Sequence, residues 1–200
     1  MSAAPLTFAG LAAQVAGAPP RLGGTRLVCV DGPAGSGKTT FAGRLATALG
    51  AGAVLVHLED LYAGWTLTGA VARLGAGVLR PVAEGRPGAF HRYDWACGRF
   101  SPDPTPVPSA PVLIVEGCGS SPRALDRWTT LRIWVEAPPL LRTARGLERD
   151  GVDTAPLWRR WQDTEDEEFT AQDTRARADL RVDGAPPAGF PENAVLLARV

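Results

Sequence analysis

The stretch that most constrains this chain runs from residue 26 to residue 49. A short β-branched run, Arg26–Asp31 (RLVCVD), leads directly into Gly32-Pro33-Ala34-Gly35-Ser36-Gly37-Lys38-Thr39-Thr40, and residues 32–39 fit the pattern GxxxxGK[ST]. Behind it Phe41, Leu45 and Leu49 recur at the period of a helix, and Gly50 stops the pattern. A strand, a glycine-rich turn and a helix in this order aim several backbone N–H groups and the positive end of a helix dipole at one point. Such a cradle holds phosphate. Lys38 adds a mobile positive charge for the outer phosphates, and the Thr39 hydroxyl is of the type that ligates Mg²⁺. The whole element, Gly32 to Thr40, implies a nucleoside triphosphate ligand.

The rest of the chain alternates strand and helix signals without an internal repeat. Residues 6–15 read as a short helix capped by Thr7. Residues 53–58 (AVLVHL) read as a second strand, and 67–84 as a helix weakened by glycines. PVLIVE (111–116) and LRIWVE (131–136) read as buried strands, 139–149 and 156–174 as helices, and 180–182 and 194–200 as closing strands. The proline-rich segment 96–110 cannot hold a helix or a central strand and reads as an exposed loop. Strands apolar on both faces, separated by helices, predict an α/β fold whose parallel sheet is covered by helices on both sides. A length of 200 residues fits one domain.

The basic residues sharpen the ligand class. Of 21 basic side chains, Lys38 is the only lysine. Guanine-specific GTPases read their base with an Asn-Lys-x-Asp element, which this chain cannot supply. The strand 112–115 ends in Glu116-Gly117 instead of the Asp or Asp-Glu of ATPase motors, and no protein-kinase HRD or DFG element is present. The pattern points to small-molecule kinases. Strand 54–58 runs into Glu59-Asp60-Leu61-Tyr62, placing two carboxylates at a strand C-terminus, where open α/β sheets form their ligand crevice. Phosphoryl transfer to a hydroxyl needs such a carboxylate to take the proton. His57 reads as structural.

These segments, in order, resemble the uridine kinase-like nucleoside kinases of the P-loop class, related to phosphoribulokinase and bacterial pantothenate kinase. DGPAGSGKTT is similar to that family's phosphate loop, EDLY to its Asp-x-Phe-Tyr segment, and Tyr93-Asp94-Trp95 stands where its acidic acceptor motif lies. VLIVEG resembles the strand whose glutamate helps hold Mg²⁺, and Arg142, Arg145, Arg149 and Asp150 reproduce the R-x2-R-x3-R-D spacing of its lid. Ala178-Asp179-Leu180 resembles the entry to the last core strand. The matches span residues 26–183.

The resemblance implies a P-loop NTPase fold with a small helical lid at about 138–175, ATP as donor, and Mg²⁺ held by Thr39 and Glu116. It implies Glu59 or Asp60 as the base, Tyr62, Tyr93 and Asp94 on the acceptor, and Arg142, Arg145 and Arg149 closing over the reacting phosphate with Lys38. Two departures stand out: the base position holds Glu59 with Asp60 beside it, and the acceptor segment reads His91-Arg92-Tyr93-Asp94-Trp95. The acceptor is expected to be a nucleoside. Two alternatives stay open: a nucleoside monophosphate kinase recruiting Arg73, Arg80, Arg92 and Arg99, and a non-catalytic nucleotide-binding regulator. The acidic run 163–168 reads as a solvated helix face, and Trp158 and Trp161 as packing residues.

Zero net charge and a pI near 6.7 argue against a nucleic-acid or membrane-surface partner. Residues 1–20 carry neither a basic n-region nor an unbroken apolar h-region, so no signal peptide is expected. Three widely spaced cysteines without a CxxC pair fit a reducing cytoplasm. A homo-oligomer stays open. Because a planar guanidinium does not substitute for a compact ammonium on a flexible stem, Lys38→Arg should cost most of the phosphotransfer activity. A turnover assay at saturating ATP checks this, and near-normal turnover would contradict the assignment.

Overall fold

The computed structural model describes residues 6–198. Seven strands and six α-helices build it: α1 (Phe8–Gly17), β1 (Arg26–Asp31), α2 (Lys38–Leu49), β2 (Ala53–His57), α3 (Ala70–Leu74), α4 (Arg80–Ala83), β3 (Gly88–Asp94), β4 (Arg99–Val107), β5 (Val112–Glu116), β6 (Thr129–Glu136), α5 (Pro139–Asp150), α6 (Ala155–Gln172) and β7 (Leu180–Asp183). Thr7 caps α1, its Oγ1 accepting from the Gly10 amide at 3.0 Å. A π-helical turn, Gly75–Leu79, joins α3 to α4, so the glycine-weakened helix runs as three short pieces.

Five strands form a parallel sheet in the order β2-β5-β1-β6-β7. Alternation along each strand sorts the core into two layers. Leu27, Cys29, Leu113 and Val115 face one side with α3, α4 and Trp161. Val28, Val30, Val112, Ile114, Ile133 and Val135 face the other with α1 and α2. Both faces are dry, as parallel sheets require. From β1 the chain passes through α2 to β2 on one side, whereas from β5 it crosses to β6 on the other. The connections therefore diverge at the C-terminal ends of β1 and β5 and open a crevice there, the ligand position of such sheets.

Two expectations need correction. The segment 96–110 is largely strand: β4 pairs antiparallel with β3 in a separate two-stranded ribbon, with Ala89 opposite Pro106 and His91 opposite Pro104. Pro102, Pro104 and Pro106 lie two apart, so their missing N–H groups all fall on one side of β4. A two-stranded ribbon leaves that side open, which is why prolines fatal to a central strand are tolerated here. The expected closing strand at 194–200 is reduced to isolated bridges, Thr7 with Ala194 and Val182 with Leu197, and residues 199 and 200 lie outside those described.

The loop after β7 packs against the phosphate loop itself. A Cβ on Gly184 would stand 1.8 Å from the Ser36 carbonyl oxygen, whereas one on Gly43, in α2, would meet open space. Gly184→Ala is therefore expected to lower the unfolding free energy by about 1–3 kcal/mol through overpacking. Gly43→Ala should raise it by about 0.5–1 kcal/mol, since alanine orders more readily in a helix. Urea denaturation of the two variants checks the opposite signs.

Candidate active site

At the C-terminal end of β1 the chain turns through Gly32 (φ +139°), Gly35 (φ +74°) and Gly37 (φ +98°) into α2. These values lie where side chains are strained, and Gly32 and Gly35 also approach the Val135 and Arg142 carbonyls too closely for a Cβ. The first amides of α2 have no intrahelical acceptor and face the loop's interior. The Ser36 hydroxyl there is buried and has no hydrogen-bond partner among the described residues. Lys38, 7% exposed, places Nζ 3.0 Å from the Pro33 carbonyl and 3.5 Å from Cys118 Sγ. Burial pulls its pKa down, but the Cys118 sulfur and the carboxylates of Glu116, Glu165 and Asp31 outweigh that and raise it. The ammonium is thus held charged. Amides, an orphaned buried hydroxyl and this cation fit a polyphosphate.

Asp31, the last residue of β1, is buried and accepts from the amides of Gly32 (2.7 Å), Gly119 (2.9 Å) and Ser121 (2.8 Å). Burial pushes its pKa up to about 6 against those three donors and Lys38. It ties the phosphate loop to the loop following β5. There Glu116 Oε1 sits 3.1 Å from Thr39 Oγ1 and 2.6 Å from His57 Nδ1, across the β2–β5 pairing that sets His57 opposite Glu116. The hydrogen bond to Glu116 raises the His57 pKa over the opposing effect of its partial burial. A hydroxyl and a carboxylate converging beside the phosphate cradle are hard oxygen donors, the set Mg²⁺ takes together with phosphate oxygens. No group of three or more His, Cys, Asp or Glu able to hold a metal exists among the described residues.

A cleft of about 520 Å³ opens over this floor. Gly35, Gly37, Lys38, Thr39, Thr40, Glu116, Arg145 and Arg149 line its phosphate end. Glu59, Tyr62, Trp65, Trp95, Trp158 and Trp161 line the other. The short 3-10 helix Leu58–Leu61, which follows β2, positions Glu59 in the cleft but turns Asp60 away to an ion pair with Arg92 of β3 (2.8 Å). Tyr62 is buried, and its hydroxyl donates to the Cys118 carbonyl at 2.8 Å.

Several expected site residues lie elsewhere. Asp94 accepts the amides of Ala96 (2.9 Å) and Cys97 (3.1 Å), closing the β3–β4 turn, and does not line the cleft. Tyr93 packs edge-on against Trp95 and Phe100 (centroids 5.3 and 5.2 Å), so its neighbour Trp95 enters the cleft in its place. Arg142 is nearly buried beneath the phosphate loop, where Nη1 donates to Glu165 Oε1 at 3.1 Å. Arg145 Nη1 donates to the carbonyls of Gly35 (3.1 Å) and Gly184 (3.2 Å). Arg149 is bidentate with Asp150 (2.7 and 3.0 Å), which raises its pKa. Three arginines on one face of α5 thus do three different things.

Glu165 overturns the reading of residues 163–168 as a solvated face. It is 0% exposed, and Oε2 accepts from the Ala34 amide at 2.8 Å with the Cys118 thiol 3.3 Å away. Burial raises its pKa against Ala34 N–H, Lys38 and Arg142. Trp158, Trp161 and Glu165 fall at i, i+3 and i+7, so helical register was the signal that this one acid shares the buried face. The two tryptophans pack as expected, yet both also border the cleft. Trp65 had no motif to mark it, and Trp95 stood in the marked Tyr93-Asp94-Trp95 segment without a role of its own.

No family model matches this chain, and no curated protein matches it by sequence. Solved structures do match. A possible uridine kinase from Bacillus stearothermophilus superimposes with a TM-score of 0.64 at 18% identity, over 87% of this chain and 96% of that one. A candidate fructose transport system kinase from Silicibacter sp. TM1040 gives 0.59 at 24% identity, over 88% of this chain and 98% of that one.

Removing the Glu165 carboxylate would leave a buried guanidinium and a buried amide without their partner. Glu165→Ala is expected to cost about 3–5 kcal/mol of stability. Glu165→Gln keeps an acceptor for Ala34 and should cost less, a ranking that urea unfolding reads directly. By its central parallel sheet, its glycine-rich loop after β1 and these structural likenesses, the chain has the uridine kinase-like P-loop fold.

Proposed function

We propose that this protein is an ATP-dependent kinase transferring phosphate to a hydroxyl of a small molecule, a nucleoside in the form the resemblance implies. One observation carries the reading: the buried, charged Lys38, the Thr39–Glu116 pair and the carboxylate-bearing Glu59 all line one cleft. We read residues 1–200 as a single kinase domain, with 138–175 as its lid. The three cysteines are free, and we place the protein in the cytoplasm. No helix among the described residues is long and apolar enough to cross a membrane.

In this reading the loop amides from Gly35 to Thr40 and Lys38 hold the donor's phosphates, and Arg145 and Arg149 face the transferring group from α5. A second pocket of about 350 Å³ shares Gly37, Thr40 and Arg145 with the main cleft and is also lined by Arg44, Pro186 and Phe190. It receives the donor's base. Mg²⁺, held by Thr39 and Glu116, would neutralise charge on the phosphates. Glu59 takes the proton from the attacking hydroxyl, and the cleft walls exclude water so that the acceptor competes with hydrolysis.

None of the four arginines that a monophosphate acceptor was expected to recruit, Arg73, Arg80, Arg92 and Arg99, lines the cleft. Arg73 donates to the Leu61 and Thr68 carbonyls, Arg92 pairs with Asp60, and neither Arg80 nor Arg99 borders the cleft. This supports an acceptor without a phosphate of its own. A coupled ADP-release assay comparing nucleosides with their monophosphates tests the class, and release with monophosphates alone would contradict it. Glu59→Gln should lower turnover by about 10²-fold or more, as expected for loss of a general base. Asp60→Asn should retain most activity, and binding of a non-hydrolysable ATP analogue should survive in both. Unchanged turnover in Glu59→Gln would sink the assignment.

A further inference from the structure

The acceptor end of the cleft is built of indole. Among the large hydrophobic side chains of the described residues, the exposed aromatic ones are Trp65 (36%) and Trp95 (42%), and both line the cleft. They come from separate elements, Trp65 from the loop after Tyr62 and Trp95 from the tip of the β3–β4 ribbon. Their centroids lie 6.1 Å apart with the rings nearly perpendicular (78°). Each is braced from behind. Trp65 meets the buried Trp158 and Trp161 edge-on at 6.4 and 6.0 Å, and Trp95 rests on Tyr93. Exposed apolar surface fixed in this way beside a reaction centre marks a ligand contact.

Four side chains that could read hydroxyls already hold protein partners. Asp94 is committed to the ribbon turn, Asp60 to Arg92, the Tyr62 hydroxyl to the Cys118 carbonyl, and Asp150 to Arg149 and the Trp158 indole N–H. Glu59 also lines the cleft, and in the phosphotransfer reading the transfer itself occupies it.

Resting on the phosphotransfer reading above, we infer that the acceptor is recognised through a flat aromatic ring laid against Trp65 and Trp95, and that its hydroxyls other than the reacting one contribute little. The substrate class is therefore a ring-bearing primary alcohol, in which the vicinal hydroxyls of a ribose are dispensable. An open polyol or a free sugar lacks the ring and is not a substrate. A stacked planar ring gains dispersion and π contact with indole whatever its edge pattern, whereas an unread hydroxyl only loses water.

Tryptophan fluorescence tests this without requiring turnover. The protein, saturated with a non-hydrolysable ATP analogue, is titrated with uridine, cytidine and adenosine, with their 2′,3′-dideoxy counterparts, and with ribose, fructose and choline. At least one nucleoside should quench saturably, with a dissociation constant within about threefold of its dideoxy counterpart, while ribose, fructose and choline give no saturable change. Trp65→Ala and Trp95→Ala should each weaken nucleoside binding by about tenfold or more, Trp65→Phe by much less, with analogue affinity unchanged in all three. A loss of about tenfold or more on removing the ribose hydroxyls overturns the inference. So does saturable binding of ribose, fructose or choline, or no saturable binding of any nucleoside. ADP release with ATP, measured on the same panel, separates the two readings. Ring binding without ADP release contradicts the kinase assignment alone, and ADP release with sugars contradicts the ring inference alone.

Discussion

A carboxylate buried behind the phosphate loop organises most of what surrounds it. Glu165 joins α6 to the Ala34 amide, to the Arg142 guanidinium at the start of α5, and to the Cys118 thiol beyond β5. Four segments distant in sequence therefore meet at one charge. In a medium of low polarity that charge is tolerated only with its donors in place, so the geometry of the loop and of both helices is mutually fixed. The same contact explains why Arg142 is unavailable to the cleft, leaving Arg145 and Arg149 to face it. Asp31 performs the matching task on the other side, drawing the turn after β5 against the loop through three amides.

From this frame the cleft acquires two ends of different character. One is cationic and polar, formed by Lys38, the first turn of α2, Thr39 with Glu116, and the two arginines. The other is apolar and aromatic, with Glu59 between. A chain of zero net charge can still concentrate a strong local field, because Lys38 is buried and charged while its counter-charges sit behind and beside the loop. In the proposed reading negative phosphate would enter a site already balanced for it, and the aromatic end would offer contact area without charge.

The strands of the main sheet were readable because buried parallel strands show as unbroken apolar runs: β1 falls at Arg26–Asp31 as read, and β5 and β6 lie within two residues of expectation. The phosphate loop was readable because its chemistry is local, each residue acting through its own backbone or side chain within one turn. The ribbon β3–β4 was not, since prolines argue against strand unless the number of neighbouring strands is known. The acceptor residues fall at the point where β3 gives way to the ribbon turn, so strand alternation does not place them. Asp94 ends β3 and serves the turn, Tyr93 packs against Trp95, and Trp95, already in the turn, lines the cleft.

By itself, then, the sequence determined the α/β class and the glycine-rich turn between a strand and a helix that carries Lys38 and Thr39, both of which follow from short-range pattern and spacing. Glu116 was singled out as the partner of Thr39 only by the resemblance, and it meets Thr39 across 77 residues. Only the tertiary structure decided which of Glu59 and Asp60 faces the cleft, which arginine of α5 reaches it, that Glu165 is buried, and that four tryptophans from three segments share one wall. Those choices depend on which neighbouring charge or ring claims each side chain first. Arg92 claims Asp60, Glu165 claims Arg142, and the amides of the ribbon turn claim Asp94. Such partners lie tens of residues away along the chain, where neither period nor spacing can announce them.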